Sequence, residues 1–106
     1  MKPLHKRAEV TLDLVSIFTW LGERDLDAAE RFLTAVDLTF EQIQKHPQIG
    51  WNRTWHDTKL VGLRSWRVEG FSNFLVFYRE EEATIEIYGV LRGARHLPRA
   101  LRGRRG

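Results

Sequence analysis

Between Arg7 and Leu21 the apolar residues Val10, Leu14, Ile17 and Leu21 recur at steps of four and three, which places them on one face of a helix. Gly22 suits the end of that helix, because glycine takes the left-handed backbone of a C-cap without steric cost. After the polar link Glu23-Arg24-Asp25, a second helical run carries Ala29, Phe32, Leu33, Val36, Phe40 and Ile43. Asp25 or Asp27 can start it by accepting a hydrogen bond from an otherwise unpaired backbone N–H, and Pro47 stops it. So short a link predicts that the two helices pack as an antiparallel hairpin. Trp20 is expected in the core on the first helix.

The pattern changes in the second half. Residues 48–61 hold no sustained period and read as a loop or a poorly defined edge. Beyond them Leu63 to Glu69, Phe74 to Arg79 and Thr84 to Leu91 are rich in aromatic and branched residues, separated by the turn-like Gly70-Phe71-Ser72-Asn73 and by Glu80 to Ala83. This predicts a three-stranded antiparallel meander. In its last strand Ile85, Ile87, Gly89 and Leu91 should share one face and Thr84, Glu86, Tyr88 and Val90 the other, with one face on the helices and the other partly open. Neither layer buries its apolar face alone, so the economical fold is α+β in two layers: a helical hairpin packed on a small twisted antiparallel sheet.

Composition narrows the function classes. A chain of 106 residues suits one domain, expected over 1–101 with a basic, flexible tail over 102–106, and 42% hydrophobic content supports a packed core. With no cysteine there is no disulfide, thiol nucleophile or thiolate metal site. His5, His46 and His56 lack the spacing of a metal site, so neither metal nor cofactor is expected. No apolar run approaches the roughly 20 residues that span a bilayer, and MKPLHKRAEV lacks the apolar stretch of a secretory signal, so the expected location is the cytoplasm. The net charge of +3 is unevenly spread. Arg92, Arg95, Arg99, Arg102, Arg104 and Arg105 crowd the C-terminal end without an acid among them, while Glu80, Glu81 and Glu82 form an acidic run. Such a basic segment points to an anionic partner, either nucleic acid or an acidic protein.

The run Gly62-Leu63-Arg64-Ser65-Trp66-Arg67-Val68, followed by Gly70-Phe71-Ser72-Asn73-Phe74-Leu75-Val76-Phe77-Tyr78-Arg79, resembles the RelE/ParE toxin superfamily. The likeness extends to Val90-Leu91-Arg92-Gly93-Ala94-Arg95, to Ala28-Ala29-Glu30-Arg31-Phe32 with Phe40, to Pro47-Gln48-Ile49-Gly50, and to Asp13-Leu14 with Ile17. The resemblance implies a helical hairpin on a twisted sheet with a further N-terminal strand, for which this chain offers Lys2 to Lys6. It also implies a cognate antitoxin, acidic and partly disordered, that binds the toxin as a hetero-oligomer and neutralises it. Two activities occur in the superfamily. RelE-like members are ribosome-dependent messenger RNA endoribonucleases, and ParE-like members inhibit DNA gyrase without being enzymes.

The residues favour the ParE-like branch. RNA cleavage through the 2′-hydroxyl needs a group to activate the nucleophile, donors for the charged phosphorane and an acid for the leaving oxygen. Where the nuclease pattern carries an Arg at the start of the middle strand this chain has Asn73, and where it carries a C-terminal Tyr or similar group this chain has Leu101. A nuclease would have to use Arg64, Arg95 and His96. Tyr78 and Tyr88 are better explained as packing residues of aromatic strands. The target-binding candidates are Arg64, Arg67, Arg79, Arg92, Arg95 and Arg99. For the four on the sheet, cross-strand ion pairs with Glu69, Glu80 and Glu86 are the competing explanation. Trp51, Trp55 and Trp66 could form a docking surface, although Trp66 alternates with strand residues and should be half-buried. A third reading is a non-toxic member that binds only its antitoxin.

Overall fold

The computed structural model describes residues 1–52 and 60–93. Chain order is β1 (Leu4–Lys6), α1 (Ala8–Gly22), α2 (Leu26–Lys45), β2 (Trp51–Asn52), β3 (Arg64–Val68), β4 (Phe71–Glu80) and β5 (Ile85–Arg92). The two helices lie within a residue or two of their expected positions. At the start of α2 the Asp25 carboxylate accepts from the Ala28 N–H at 3.2 Å, so Asp25 rather than Asp27 is the cap. None of the described helices is long and apolar enough to cross a membrane.

The predicted meander is present as β3–β4–β5 within a five-stranded sheet of order β1-β5-β4-β3-β2. The sheet is mixed, not wholly antiparallel, because β1 pairs in parallel with β5, Leu4 opposite Ile85 and Lys6 opposite Ile87. Residue periodicity did not reveal β1: three residues give no measurable alternation, and the strand is held by what lies around it. Pro3 carbonyl accepts from the Ile85 N–H at 2.9 Å, the Lys2 ammonium reaches Glu80 at 3.0 Å, and Gln44 donates to the Lys2 carbonyl at 3.0 Å. The N-terminal strand implied by the family resemblance is therefore found, over Leu4–Lys6.

Strand β4 begins at Phe71, earlier than the expected Phe74, because the turn tightens to Glu69-Gly70 with Gly70 at φ +78. Only glycine takes that left-handed conformation without strain. A second departure sits in β5. The partner of Phe77 is Gly89 and that of Tyr78 is Ile87, so Tyr88 is the extra residue of a β-bulge. Expected alternation holds at Ile85 and Ile87, which face the helices, but beyond the bulge Val90 joins that face and Leu91 the opposite one. One inserted residue reverses every later side chain.

The main core lies between sheet and helices, where Phe32, Val36, Phe40 and Ile43 of α2 meet Val68, Phe74, Val76, Tyr78, Ile85, Ile87 and Val90. Phe32 packs edge-on to Phe71 and Phe74 with ring centroids 5.3 and 5.1 Å away. The opposite face of the sheet, expected to be partly open, carries its own cluster of Leu60, Leu63, Phe77, Tyr88 and Leu91, all buried. Leu33, expected on the buried side of α2, is exposed at 37%.

Candidate functional site

Strand β5 changes surroundings along its length, and this creates a groove at its outer edge. Over Ile85 to Ile87 it is flanked on both sides, by β1 and β4. The parallel pairing with β1 stops there, with a last bond from the Arg7 N–H to the Ile87 carbonyl at 3.2 Å. From Val90 onward the outer edge of β5 has no strand beside it among the described residues and faces α1. An edge N–H buried without a partner would cost about 1–3 kcal/mol. Here Asp13, buried on α1, accepts from the Val90 N–H at 3.0 Å. A carboxylate inside the apolar stripe of α1 was the sequence signal for such a bond.

Past Asp13 the helix and the strand edge enclose an open groove of about 520 Å3, lined by Ser16, Ile17 and Trp20 of α1, by Phe74, and by Val90 to Arg92. Trp20 is not core. It is 40% exposed, with the Arg24 guanidinium 4.0 Å from its ring centroid and that of Arg92 5.4 Å away. Trp20 lies at the flank of the stripe of Val10, Leu14, Ile17 and Leu21, about a quarter turn round the helix by the 3.6-residue period, and it serves as a wall of the groove. Arg24 also donates to the Trp20 carbonyl at 2.6 Å, which fixes the stack. Neither Arg24 nor Arg92 forms an ion pair among the described residues.

The four sheet arginines proposed from the sequence are not gathered into one cluster. Arg64 points to the helix side of β3, donating to the Gly50 carbonyl at 2.9 Å, with Gln48 carbonyl at 3.5 Å. Arg79 lies on the opposite face, donating to the Val61 carbonyl at 3.1 Å and the Tyr88 hydroxyl at 2.8 Å, and it pairs with Glu81 at 3.3 Å. Both guanidiniums are thus bound to the protein's own backbone. Arg67 and Arg92 are exposed at the same end of the sheet, on opposite faces, Arg67 beside Trp66 with 4.8 Å to its ring centroid. The cross-strand pairs expected with Glu69, Glu80 and Glu86 do not form among the described residues: Lys2 takes Glu80, His5 and Arg7 take Glu86, and Glu69 accepts from the Gln42 amide at 3.5 Å. Arg95, His96 and Arg99 lie outside the described residues, as do Trp55 and His56.

Both tyrosines are packing residues. Tyr78 donates to the Pro47 carbonyl and accepts from the Gly50 N–H, each at 2.8 Å, and burial raises its phenol above the ordinary value against the smaller lowering effects of the Gly50 bond and Arg64. Tyr88 lies under Arg7, 4.2 Å from guanidinium to ring centroid. On the same face burial acts to raise the Glu86 carboxyl, but hydrogen bonds from His5 and Thr84 and the charges of His5 and Arg7 outweigh it and hold it below the usual value. Trp66 is half-buried, its indole donating to Gln42 at 3.2 Å, whereas Trp51 is 71% exposed on the edge strand. Among the described residues no group of three or more His, Asp or Glu is placed to hold a metal ion.

Residues 5–97 match the family described as the ParE toxin of the type II toxin–antitoxin system parDE. The chain belongs to the ParE toxin family. A solved structure described as the chromosomal ParDE TA system from P. aeruginosa has the same fold, with a TM-score of 0.71, over 87% of this chain and 96% of that one, at 18% identity. No curated protein matches the sequence significantly. The RelE/ParE resemblance therefore resolves to the ParE branch, and the ParDE context supports an antitoxin as partner of this toxin.

Proposed function

We propose that this ParE-family chain inhibits DNA gyrase as a binding protein, not as an enzyme, and is neutralised by a cognate antitoxin. The observation that carries the reading is the family match over residues 5–97. The residues agree with it. Asn73 is exposed on β4 where a nuclease of the superfamily would carry an Arg, and the hydroxyls of Tyr78 and Tyr88 are buried in bonds to the protein itself. A general acid needs access to the scissile phosphate, and neither phenol has it.

The basic end of the molecule is the candidate target surface. Arg67 and Arg92 are its described exposed members, and the chain continues into Arg95 and Arg99. Arg64 and Arg79 contribute by holding the 47–50 turn and the Val61 loop against the sheet. An arginine presents a fixed charge and a planar donor fork, which suits clamping phosphate or carboxylate but not proton donation.

Purified gyrase tests the reading. Supercoiling should fall as the protein is added, and Arg95→Ala should be less toxic than the parent at matched expression. Undisturbed supercoiling together with new messenger RNA ends in growth-arrested cells would replace it with the ribonuclease activity.

A further inference from the structure

We infer that the basic end of the molecule binds the phosphate backbone of double-stranded DNA directly, through Arg24, Arg67 and Arg92 together with the arginines that follow in the sequence. Such binding needs no gyrase, so its failure and that of the gyrase reading are distinguishable.

Charge is divided along the chain more sharply than the net +3 suggests. Residues 92–106 hold six of the 17 cations and none of the 14 acids, which gives them +6; residues 1–91 keep eleven cations against all 14 acids, which gives them −3. A polyanion is therefore repelled by most of the chain and drawn to one end. There Arg92 closes β5 opposite Phe74, and Arg67 stands on β3 opposite Leu75. Arg24 joins them through Trp20, whose ring centroid lies 4.0 Å from the Arg24 guanidinium and 5.4 Å from that of Arg92. All three arginines are exposed, and none forms an ion pair among the described residues. Of the carboxylates near them in sequence, Glu23 is exposed, Asp25 accepts from the Ala28 N–H and Glu69 from the Gln42 amide.

The guanidiniums are held ready for a flat, multiply charged ligand. Arg24 donates to the Trp20 carbonyl at 2.6 Å while it stacks on the ring, and Arg67 lies 4.8 Å from the Trp66 ring centroid. Stacking limits side-chain motion and leaves edge N–H groups for phosphate oxygens, which match the guanidinium fork. It also argues against a single strand, whose bases need open aromatic rings to stack on. Trp20 and Trp66 already stack with arginine, and the Trp66 indole donates to Gln42. Trp51, the most exposed of the described tryptophans, is on β2, three strands from Arg92. A duplex instead presents a charge about every 1.7 Å along its axis, a line dense enough to engage Arg24, Arg67, Arg92 and the following Arg95, Arg99, Arg102, Arg104 and Arg105. Phosphate contacts carry no sequence information, so the binding is indifferent to sequence.

Fluorescence anisotropy of a labelled duplex with the purified, antitoxin-free chain, between about 50 and 200 mM salt, tests this. Two duplexes of unrelated sequence should bind alike, and the logarithm of affinity should fall linearly with that of salt. Combining Arg24→Gln, Arg67→Gln and Arg92→Gln should reduce the slope by about 2.7, about 0.9 for each phosphate no longer neutralised, and Arg67→Gln alone should reduce it by about 0.9. Arg31→Gln, which removes a side chain paired with Asp27, should leave the slope as in the parent. No binding at the lowest salt, a parent slope in the triple variant, or tighter binding to a single strand of the same sequence would each overturn the inference. Polyglutamate that displaces the duplex at equal charge concentration would overturn it in favour of an acidic protein. Arginine-dependent DNA binding with undisturbed supercoiling would keep the DNA contact and remove only the gyrase target.

Discussion

Tyr78 shows how much one side chain can organise. Its hydroxyl joins Pro47 and Gly50 to the middle of the sheet, and a Cβ at Gly50 would stand 2.5 Å from that oxygen, so glycine is required there by close approach. Tyr78→Phe leaves the buried Gly50 N–H without its partner and should cost about 1–3 kcal/mol. In a domain of this size that lowers the melting temperature by roughly 4–8 °C per kcal/mol, which calorimetry would detect. The phenol is raised in the folded state, so its contribution is fully present below the unfolded value near pH 10 and is lost as pH rises through the higher folded value. Parent stability should thus decline more steeply above pH 10 than that of Tyr78→Phe. Glu86 has the opposite sign. Its carboxyl is lowered, so its contribution is present above the ordinary carboxylate range and is lost as pH falls through the folded value. Melting curves at pH 7 and pH 3 should differ less in Glu86→Gln than in the parent; equal differences would reject the His5 and Arg7 pairings as stabilising. Of these residues the sequence disclosed the packing role of both tyrosines, but not their hydroxyl partners, because those lie 28 and 31 positions away for Tyr78 and 9 for the Arg79 bond to Tyr88.

At the scale of elements, what could be read in advance follows from how much of each signal is local. Helix α2 has many positions at one spacing, a cap and a Pro stop, and it stands where expected, over Leu26–Lys45. Phe32 is its centre of packing, wholly buried against Phe71 and Phe74, so Phe32→Ala should destabilise the fold by about 3–5 kcal/mol. An unchanged melting temperature would refute that packing. Strands β1 and β2, of three and two residues, exist by pairing with distant segments and give no pattern of their own. The Tyr88 bulge was equally invisible, since a bulge changes register without changing composition, and it is the bulge that turns Val90 toward α1. Asp13 then satisfies the Val90 N–H on an edge that no strand covers among the described residues. Asp13→Ala should therefore cost about 1–3 kcal/mol and loosen the groove, which amide exchange at Val90 would report. Trp20 misled because its spacing fits a helix that is apolar nearly all round, and such a helix does not announce which side is free.

The whole molecule presents two layers with unequal surfaces. One face of the sheet is sealed by the helices, the other by a smaller cluster around Phe77, Tyr88 and Leu91, and the exposed cations Arg67 and Arg92 stand at the end where the Arg-rich segment begins. The candidate site was legible as a list of arginines, while their division into backbone-bound Arg64 and Arg79 and exposed Arg67 and Arg92 required the three-dimensional arrangement. An electrostatic surface of this kind predicts that target inhibition weakens as ionic strength rises, because exposed charges are screened over about 10 Å at 0.1 M salt. The most direct test of the account is DNA supercoiling and cleavage by purified gyrase with the purified chain present. Loss of supercoiling with accumulated cleavage complexes, reversed by the antitoxin, is the predicted result; full supercoiling at excess of a folded, growth-arresting protein would contradict it.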